Sequence, residues 1–282
     1  MYGGKYQLIN MNPLNFFKFL QDKEGKKIPA KVFFLDPNYV FNANDFVDSE
    51  GNIDLSETNI TSLPDNLTVH GNLDLSRTPI TSLPDNLAVG RNLNLYDAEI
   101  TSLPDNLAVG GDLKLYNNPI TSLPDNLTVG GNLVVMRIPI TSLPNNLKVK
   151  RSLFLSGTKI TSLPDSLTAI NGNLDIDNSP LTSLPNNLKV KGSLILFHTL
   201  ITLLPDNLKV GRHLDLSHTK ITSLPDNLKV KGNLNLRYSK IASLPKNLKV
   251  GGDLDLGNTP LSLLYSEDEL KQIFPHIKQI YT

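Results

Sequence analysis

The apolar residues of this chain recur at every twentieth position, which is far longer than the period of a helix. In the unit that begins at Gly71, Leu73 and Leu75 alternate with polar residues, which predicts a short half-buried strand. Four further apolar positions complete the unit: Ile80, Leu83, Leu87 and Val89. One unit cannot bury these side chains alone. The pattern therefore predicts that successive units stack as the coils of a solenoid, with continuous aliphatic ladders inside.

The segment Ile-Thr-Ser-Leu-Pro marks the register of the coils. Its proline recurs once in each unit, and every step between prolines is equal except for one, which is a single position longer because Asn171 follows Ile170. The prolines are Pro64, Pro84, Pro104, Pro124, Pro144, Pro164, Pro185, Pro205, Pro225 and Pro245. Neighbouring Leu-x-Leu strands are therefore predicted to pair in parallel, about 4.8 Å apart. Because proline disfavours helix, we expect extended segments or a short 3₁₀ turn opposite the strands, with a turn at Asp85 and Asn86.

The stretch from Leu73 to Pro84 resembles the LxLxxNxLxxLP core of leucine-rich repeats. The short repeat length and the Leu-Pro pair are similar to the repeats of bacterial effector proteins and to phage-encoded leucine-rich repeats, and the resemblance covers residues 51–265. It implies a right-handed leucine-rich-repeat solenoid, mostly β and coil, with a parallel sheet on its concave face and little helix outside the caps. It also implies a non-enzymatic scaffold that binds a protein partner on that face.

The asparagine of the leucine-rich-repeat core is replaced in most coils of this chain. The residues at this position include Thr58, Thr78, Ala98, Asn118, Ile138, Thr158, Ser179, Thr219 and Thr259. A threonine hydroxyl there is expected to bond to the backbone of the next coil. Ala98 and Ile138 have no group that forms such a bond.

Three regions are expected: an N-terminal cap at 1–50, about ten and a half repeats at 51–265, and a helical cap at 266–282. Ser266 and Glu269 have the spacing of a capping box, which predicts a helix start. The lid would then use a group of apolar residues: Leu270, Ile273, Phe274, Ile277, Ile280 and Tyr281. In the N-terminal cap we expect a short helix over 12–20, a strand over 31–35 and a degenerate coil at 45–48. Alternatively, the phenylalanine-rich helix is a docking segment for another protein. Met11 is an alternative first residue of the chain.

Composition narrows the chemistry. Cysteine is absent, which excludes disulfides and thiolate metal sites. No segment has the apolar length of a membrane helix, and residues 1–10 lack the apolar core of a signal peptide. We therefore expect no membrane insertion, and a location in the cytoplasm of the producing or host cell or on a virion. No catalytic motif is present, and neither an enzyme activity nor a cofactor is expected.

Charge is unevenly distributed, although the net charge is zero. Residues 1–141 hold 10 Lys and Arg against 16 Asp and Glu, a difference of −6, while residues 142–282 hold 17 against 11, a difference of +6. Much of the basic excess occupies one repeat position: Lys148, Lys189, Lys209, Lys229 and Lys249. This stripe fits an acidic partner, membrane headgroups or nucleic acid, or serves solubility alone. Aromatic residues are not interleaved with it, so nucleic acid is not expected as a partner.

Two side-chain sets raise the question of chemistry. His198 and His218 occupy equivalent positions, so they should stack roughly 5 Å apart near His213 and Asp215; we expect ordinary surface residues and no metal site. Asp54, Asp74, Asp175, Asp215 and Asp255 share an outward position, but a row along a rod forms no catalytic cleft.

The Thr61, Thr81 and Thr101 series forms a regular column, which leaves a carbohydrate- or ice-binding face as an alternative.

The candidate binding surface consists of large and charged residues at outward strand positions and just after them. Its members are Tyr96, Lys114, Tyr116, Val134, Met136, Arg137, Phe154, Ile195, Phe197, His198, Arg237 and Tyr238. Tyr, Phe, Met and Arg are enriched in interface cores, and exposed apolar groups need a reason. We therefore expect a protein partner. The main alternative is a spacer or decoration component of a larger assembly such as a phage virion.

Overall fold

The computed structural model describes residues 19–21, 27–29 and 48–282, and from residue 51 onward these form stacked coils. Each coil holds two short strands, separated by turns and extended segments. The strands of the described residues are, in chain order, β1 (Phe19–Gln21), β2 (Lys27–Pro29), β3 (Ile53–Asp54), β4 (Thr68–Val69), β5 (Leu73–Asp74), β6 (Ala88–Val89), β7 (Leu93–Asn94), β8 (Ala108–Val109), β9 (Leu113–Lys114), β10 (Thr128–Val129), β11 (Leu133–Val134), β12 (Lys148–Val149), β13 (Leu153–Phe154), β14 (Ala169–Ile170), β15 (Leu174–Asp175), β16 (Lys189–Val190), β17 (Leu194–Ile195), β18 (Lys209–Val210), β19 (Leu214–Asp215), β20 (Lys229–Val230), β21 (Leu234–Asn235), β22 (Lys249–Val250), β23 (Leu254–Asp255) and β24 (Ile280–Tyr281).

The strands of equivalent coils pair in parallel, as the repeat predicts. The odd-numbered strands from β3 to β23, followed by β24, form one sheet of 12 strands, called here the long sheet. The even-numbered strands form two sheets of five strands along one flank, one from β4 to β12 and the other from β14 to β22. The chain is therefore a parallel-strand leucine-rich-repeat solenoid with almost no helix in its coils, and the predicted fold class is confirmed.

The one longer step of the repeat, at Asn171, separates the two flank sheets. In the long sheet Leu153 pairs with Leu174 across this step, so that sheet continues without interruption. The first flank sheet ends at β12 and the second begins at β14, next to the inserted Asn171. One extra residue is thus accommodated on the flank, while the register of the long sheet is kept.

The core is a set of aliphatic ladders, one for each apolar repeat position. All six apolar residues of the unit used above are buried: Leu73, Leu75, Ile80, Leu83, Leu87 and Val89. The same positions of the other coils join them in one continuous cluster. Each coil therefore buries its apolar side chains against its neighbours, which is the energetic basis of solenoid stability.

A polar ladder runs beside the aliphatic ones, two residues before the outward position of each strand. A side-chain acceptor of each coil takes the amide of the same position in the next coil, over ten steps at 2.7–3.4 Å. Its members are Asn52, Asn72, Asn92, Asp112, Asn132, Ser152, Asn173, Ser193, His213, Asn233 and Asp253. Asp48 begins it, since its Oδ1 accepts the Asn52 amide at 2.9 Å. This bond is the largest cause of the lowered pKa of the Asp48 carboxyl.

The threonines at the position of the leucine-rich-repeat asparagine form different hydrogen bonds from those expected. Thr78 is buried, and its hydroxyl donates to the carbonyl of Leu75 in its own coil at 2.7 Å. Only Asn118 reaches another coil among the described residues of this position, because its longer amide donates to Leu95 O at 2.7 Å as well as to Tyr116 O. The predicted bond from threonine to the next coil is therefore wrong. The hydroxyl is too short for that reach.

The C-terminal end contains the helix α1 (Glu267–Ile273), preceded by a 3₁₀ helix at Leu261–Leu263. The capping box of Ser266 and Glu269 is present. The apolar lid differs from the expectation at two residues, since Ile273 is 55% and Tyr281 is 46% exposed. Pro275 follows the helix closely, and the chain then adds β24 as the last strand of the long sheet. Within the described ranges, no helix has the length and hydropathy needed to cross a bilayer.

The N-terminal expectations lie mostly outside the described residues. These include the start of the helix at Asn12, the strand over 31–35 and most of the degenerate coil at 45–48. Phe19 and Leu20, which the pattern placed at the end of a helix, instead lie in β1, which pairs antiparallel with β2. That part of the helix prediction is wrong, because the pairing of Phe19 with Pro29 stabilises an extended backbone there.

Candidate functional site

Three columns of side chains line the outer face of the long sheet. The first column is the outward residue of each strand: Asp54, Asp74, Asn94, Lys114, Val134, Phe154, Asp175, Ile195, Asp215, Asn235 and Asp255. The second column follows two residues later: Ser56, Ser76, Tyr96, Tyr116, Met136, Ser156, Asp177, Phe197, Ser217, Arg237 and Gly257. The third column comes next: Glu57, Arg77, Asp97, Asn117, Arg137, Gly157, Asn178, His198, His218, Tyr238 and Asn258.

The acidic and amide residues of the first column have a structural task. In seven coils the side-chain Oδ1 accepts the amide two residues later, at 2.9–3.3 Å, which forms an Asx turn at the strand end. Asp74, for example, takes both the amide and the hydroxyl of Ser76. This turn bond gives a structural reason for the recurrence of aspartate at this position. Val134, Phe154 and Ile195 have no side-chain acceptor, so those coils give up this local bond.

The third column has a left-handed backbone in every coil. Its φ angles lie between 51° and 69°. Asn, Asp and Gly adopt this conformation most readily, and several coils use them, but Arg137, His198, His218 and Tyr238 also occupy it. A left-handed residue other than glycine costs roughly 1–2 kcal/mol. The conformation is held because each amide donates to the second-column carbonyl of the next coil, as Tyr238 N does to Gly257 O at 2.9 Å.

The first patch lies on the middle coils and is built around two tyrosines. The rings of Tyr96 and Tyr116 stack with centroids 5.0 Å apart and an angle of 13°. Arg77 lies over Tyr96 at 5.6 Å, and Arg137 lies over Tyr116 at 5.5 Å, so a guanidinium closes each end of the stack. Cation–π contacts of this kind fix a long side chain over a ring. The result is a planar aromatic and cationic surface.

The first-column residues Lys114, Val134 and Phe154 pair in register beside this stack. Lys114 is exposed, while Val134 and Phe154 are half-buried, and Met136 of the second column is also half-buried. Together with the stack they form a mixed apolar, aromatic and basic surface across four coils. This composition is typical of interface cores.

The second patch lies nearer the C-terminus and consists of a longer ring stack. His198 and His218 stack with centroids 4.5 Å apart, and Tyr238 continues the stack at 4.4 Å from His218. Phe197 meets both imidazoles edge-on, at 4.3 Å from His198 and 5.3 Å from His218. Arg237 lies over Tyr238 at 5.6 Å and within 3.5 Å of Asp255. The rings therefore support one another and present a continuous surface.

Two carboxylates separate the patches. Asp175 pairs with Phe154 on one side and Ile195 on the other, so apolar side chains flank it. Burial is the main cause of the raised pKa of the Asp175 carboxyl, and the nearby Asp177 and Asp215 raise it further. Asp177 is half-buried, and its Oδ1 has no hydrogen-bond partner among the described residues. The outer face is thus acidic between two basic and aromatic patches.

The predicted site residues fall into these two patches. Tyr96, Lys114, Tyr116, Val134, Met136, Arg137 and Phe154 lie in the first, and Ile195, Phe197, His198, Arg237 and Tyr238 lie in the second. Arg77 and His218 were left out of the prediction, although they occupy the repeat position of Arg137 and Tyr238. Comparison of residues exactly one repeat apart would have found both of them.

The structure places His198, His213 and His218 in ring-stacking and ladder contacts. No group of three or more possible ligand residues that could hold a metal ion occurs in the part of the chain that the structure describes. His213 belongs to the polar ladder, where its Nδ1 accepts the amide of Asn233 at 3.0 Å. His198 and His218 face each other as flat rings, which is a geometry for stacking.

The repeat pattern and the paired strands define a leucine-rich-repeat solenoid. No family model and no curated protein matches the sequence. Among solved structures, a leucine-rich-repeat protein of Leptospira interrogans is 20% identical with a TM-score of 0.35, over 82% of this chain and 83% of that chain. The leucine-rich effector protein YopM of Yersinia pestis is 19% identical with a TM-score of 0.44, over 82% and 77%. A chain of the Toll–Spatzle complex of Drosophila is 19% identical with a TM-score of 0.49, over 78% and 42%.

Proposed function

We propose that this chain is a non-enzymatic recognition scaffold that binds a protein partner on the outer face of the long sheet. The observation that carries the proposal is the third column. Arg, His and Tyr residues hold a left-handed backbone there, although Asn117, Gly157 and Asn258 fill the same position of other coils at lower cost. Backbone strain that persists at exposed positions is typical of binding sites.

The distribution of sequence variety supports the same conclusion. On the side opposite the long sheet, Ile-Thr-Ser-Leu-Pro recurs almost unchanged. On the outer face, the three columns differ from coil to coil in charge, size and aromatic character. A spacer has no reason to vary more on one face than on the others, whereas a recognition scaffold does. This contrast favours recognition over the structural alternative.

The two patches suggest how a partner is held. Stacked, mutually supported rings such as Tyr96 with Tyr116 lose little conformational entropy on binding, since their rotamers are already restricted. Tyr and Arg are the residue types that dominate binding energy at protein interfaces. Asp175 and Asp177 between the patches add a position for a basic side chain of the partner. The partner is therefore expected to span both patches with acidic and apolar groups at the ends and a basic group at the centre.

The test begins with capture of the partner by the intact chain and its identification by mass spectrometry. A Tyr116→Ala, Phe154→Ala double variant should then lose at least about 2 kcal/mol of binding free energy in calorimetry. The comparison variant Lys209→Gln, Lys229→Gln changes the flank, and it should mainly alter the association rate and its salt dependence. Normal binding by the tyrosine and phenylalanine variant, with loss in the lysine variant, would contradict the proposal.

A further inference from the structure

We propose a second binding site, independent of the long sheet: a lysine-lined groove at the C-terminal end of the flank that takes an extended acidic segment of a partner protein. The flank column is the first residue of each flank strand. In the first flank sheet it is Thr68, Ala88, Ala108, Thr128 and Lys148, and in the second it is Ala169, Lys189, Lys209, Lys229 and Lys249. The same fold therefore forms with neutral residues or with lysines at this position.

The lysine column is unfavourable for the chain by itself. Lys189 pairs directly with Lys209, and Lys229 pairs directly with Lys249. Like charges directly opposite each other on neighbouring strands are destabilising. The ion pairs between described residues involve arginines elsewhere, so none of these lysines has a carboxylate of the described chain within 4.0 Å. The charges are left available for another molecule.

Two lysines of this column, Lys229 and Lys249, line a groove at the end of the flank. Its volume is 660 Å³, and it is lined by ten residues that include Lys229, Lys231, Lys246, Lys249 and His276. None of its described lining residues is acidic. Its other lining residues include the buried side chains of Val230, Leu248 and Val250. A concave site of this size with four cations matches several carboxylates at once.

The backbone beside the groove selects an extended segment. The strand β22 is the last of its flank sheet, so among the described strands only β20 lies beside it. The amides of Lys249 and Gly251 donate to the β20 side, at 3.1 and 2.9 Å. Backbone groups of successive residues point to opposite sides, so those of Val250 point away from β20. His276 Nε2 lies 2.9 Å from the carbonyl of Leu248, and the amide of Lys278 donates to the carbonyl of Gly252 at 3.3 Å, so the backbone groups offered to a partner are those of Val250 between them.

The two sheets differ at this end of the rod. The long sheet is closed by β24, which pairs with β23, whereas the flank sheet has no equivalent strand among the described residues. An extended partner segment can add to such an edge through main-chain hydrogen bonds. Lysines on an edge oppose pairing with another basic strand. They therefore disfavour a second copy of this flank and favour an acidic segment.

The experiment measures binding of labelled peptides to the intact chain by fluorescence polarisation. The probe is a peptide of about eight residues in which Glu alternates with Thr, a length and pattern that suit an added strand. A matched peptide with Gln in place of Glu should bind at least about tenfold more weakly, and affinity for the acidic peptide should fall with salt. No binding of the acidic peptide, or equal binding of both peptides, would overturn the proposal.

Matched lysine variants locate the site. The double variant Lys229→Gln, Lys249→Gln should weaken binding of the acidic peptide at least about tenfold. The double variant Lys148→Gln, Lys189→Gln, at the same repeat position outside the groove, should weaken that binding less than about twofold. Equal losses of affinity in the two variants would mean that the peptide responds to the overall positive charge of the flank and that the groove is not its site. Binding to phosphatidylserine vesicles but not to the peptide would point to a lipid surface instead. The Tyr116→Ala, Phe154→Ala variant should keep peptide binding, which separates this site from the long-sheet proposal.

Discussion

The imidazole rings of His198 and His218 stack at 4.5 Å although both residues hold a left-handed backbone. The coil spacing brings the two rings together, and the hydrogen bonds of the coil keep the backbone in place. Histidine pays a steric cost in that conformation, which glycine avoids because it has no Cβ. The two histidines thus form an exposed aromatic surface at a cost in backbone conformational free energy, and that free energy can be measured.

Substitutions of His218 should reveal that backbone cost. His218→Gly and His218→Ala both remove the ring stack, so they differ mainly in the backbone. Glycine tolerates φ of 58°, whereas alanine retains the left-handed penalty. We expect the glycine variant to be more stable by about 1 kcal/mol in urea unfolding, the reverse of the usual order of these residues in an ordinary element. A more stable alanine variant would show that the backbone is not strained there.

Adjacent residues of β11 offer a test of the stacked core. Leu133 is fully buried, while Val134 points outward. Leu133→Asp buries an unpaired carboxylate and should lower the free energy of unfolding by more than about 4 kcal/mol. Val134→Asp should change it by less than about 1 kcal/mol, since an aspartate there can accept the amide two residues later as Asp74 does. Circular dichroism melting curves of the two variants check both outcomes, and equal curves would rule out the inward and outward assignment.

The polar ladder predicts a difference between two substitutions of Asn132. Its Oδ1 accepts the amide of Ser152 at 3.0 Å, and Asn132→Ala removes this acceptor. Both this variant and Asn132→Ser also lose the donation of Asn132 Nδ2 to the Asp112 carboxylate, so the difference between the two reports the ladder bond. Asn132→Ser should be more stable than Asn132→Ala by about 1 kcal/mol, the usual contribution of one such bond, because Ser152 performs the same task in the next coil with its Oγ at 3.0 Å from Asn173 N. Equal losses in chemical unfolding would show that the ladder bond is not the cause.

Asp175 predicts a dependence of stability on pH. Its folded pKa is raised above the ordinary 3.8, so the folded state holds this proton more tightly than the unfolded state does. The stabilising contribution of the Asp175 carboxyl is fully present below pH 3.8, and it is lost as the pH rises through the raised folded pKa. Asp175→Asn should therefore be more stable than the natural chain at neutral pH and equal to it in strong acid. Asparagine suits the position, because Asn94 and Asn235 make the same turn bond. A difference in stability that did not change with pH would contradict the assignment.

Much of the fold could be predicted because the apolar spacing leaves few choices. Leu73, Leu75 and Ile80 must all be buried, and only stacking with the next unit buries them. The C-terminal end was less predictable. Ile280 is buried as expected, but it lies in a two-residue strand, which is too short to leave a pattern in the sequence. Ile273 has the spacing of a buried helical residue and yet is exposed, since α1 is only seven residues long.

The candidate site could be predicted in composition but not in geometry. Tyr116 and Phe154 stood out because aromatic residues at outward positions are unusual among their polar equivalents. The left-handed backbone of the third column is invisible at Arg137 or His198 alone, since neither residue type indicates it. It becomes visible only when Asn117 and Gly157 are read as the same position. The roles of the aspartates were also hidden, because an Asx turn and an acid–base pair use the same residue type.

The one-directional polar ladder described above has a consequence for how the molecule can change in size. Every internal rung both receives and offers a bond, and Asp48 supplies the first acceptor from outside the repeats. A complete additional coil can be inserted between any two rungs and find its partners already in place, and the step of 21 residues from Ser152 to Asn173 shows that one extra residue within a coil also leaves the ladder continuous. The number of coils in the solenoid can therefore increase or decrease by one at a time. Such changes lengthen or shorten the long sheet by one strand and leave both ends as they are.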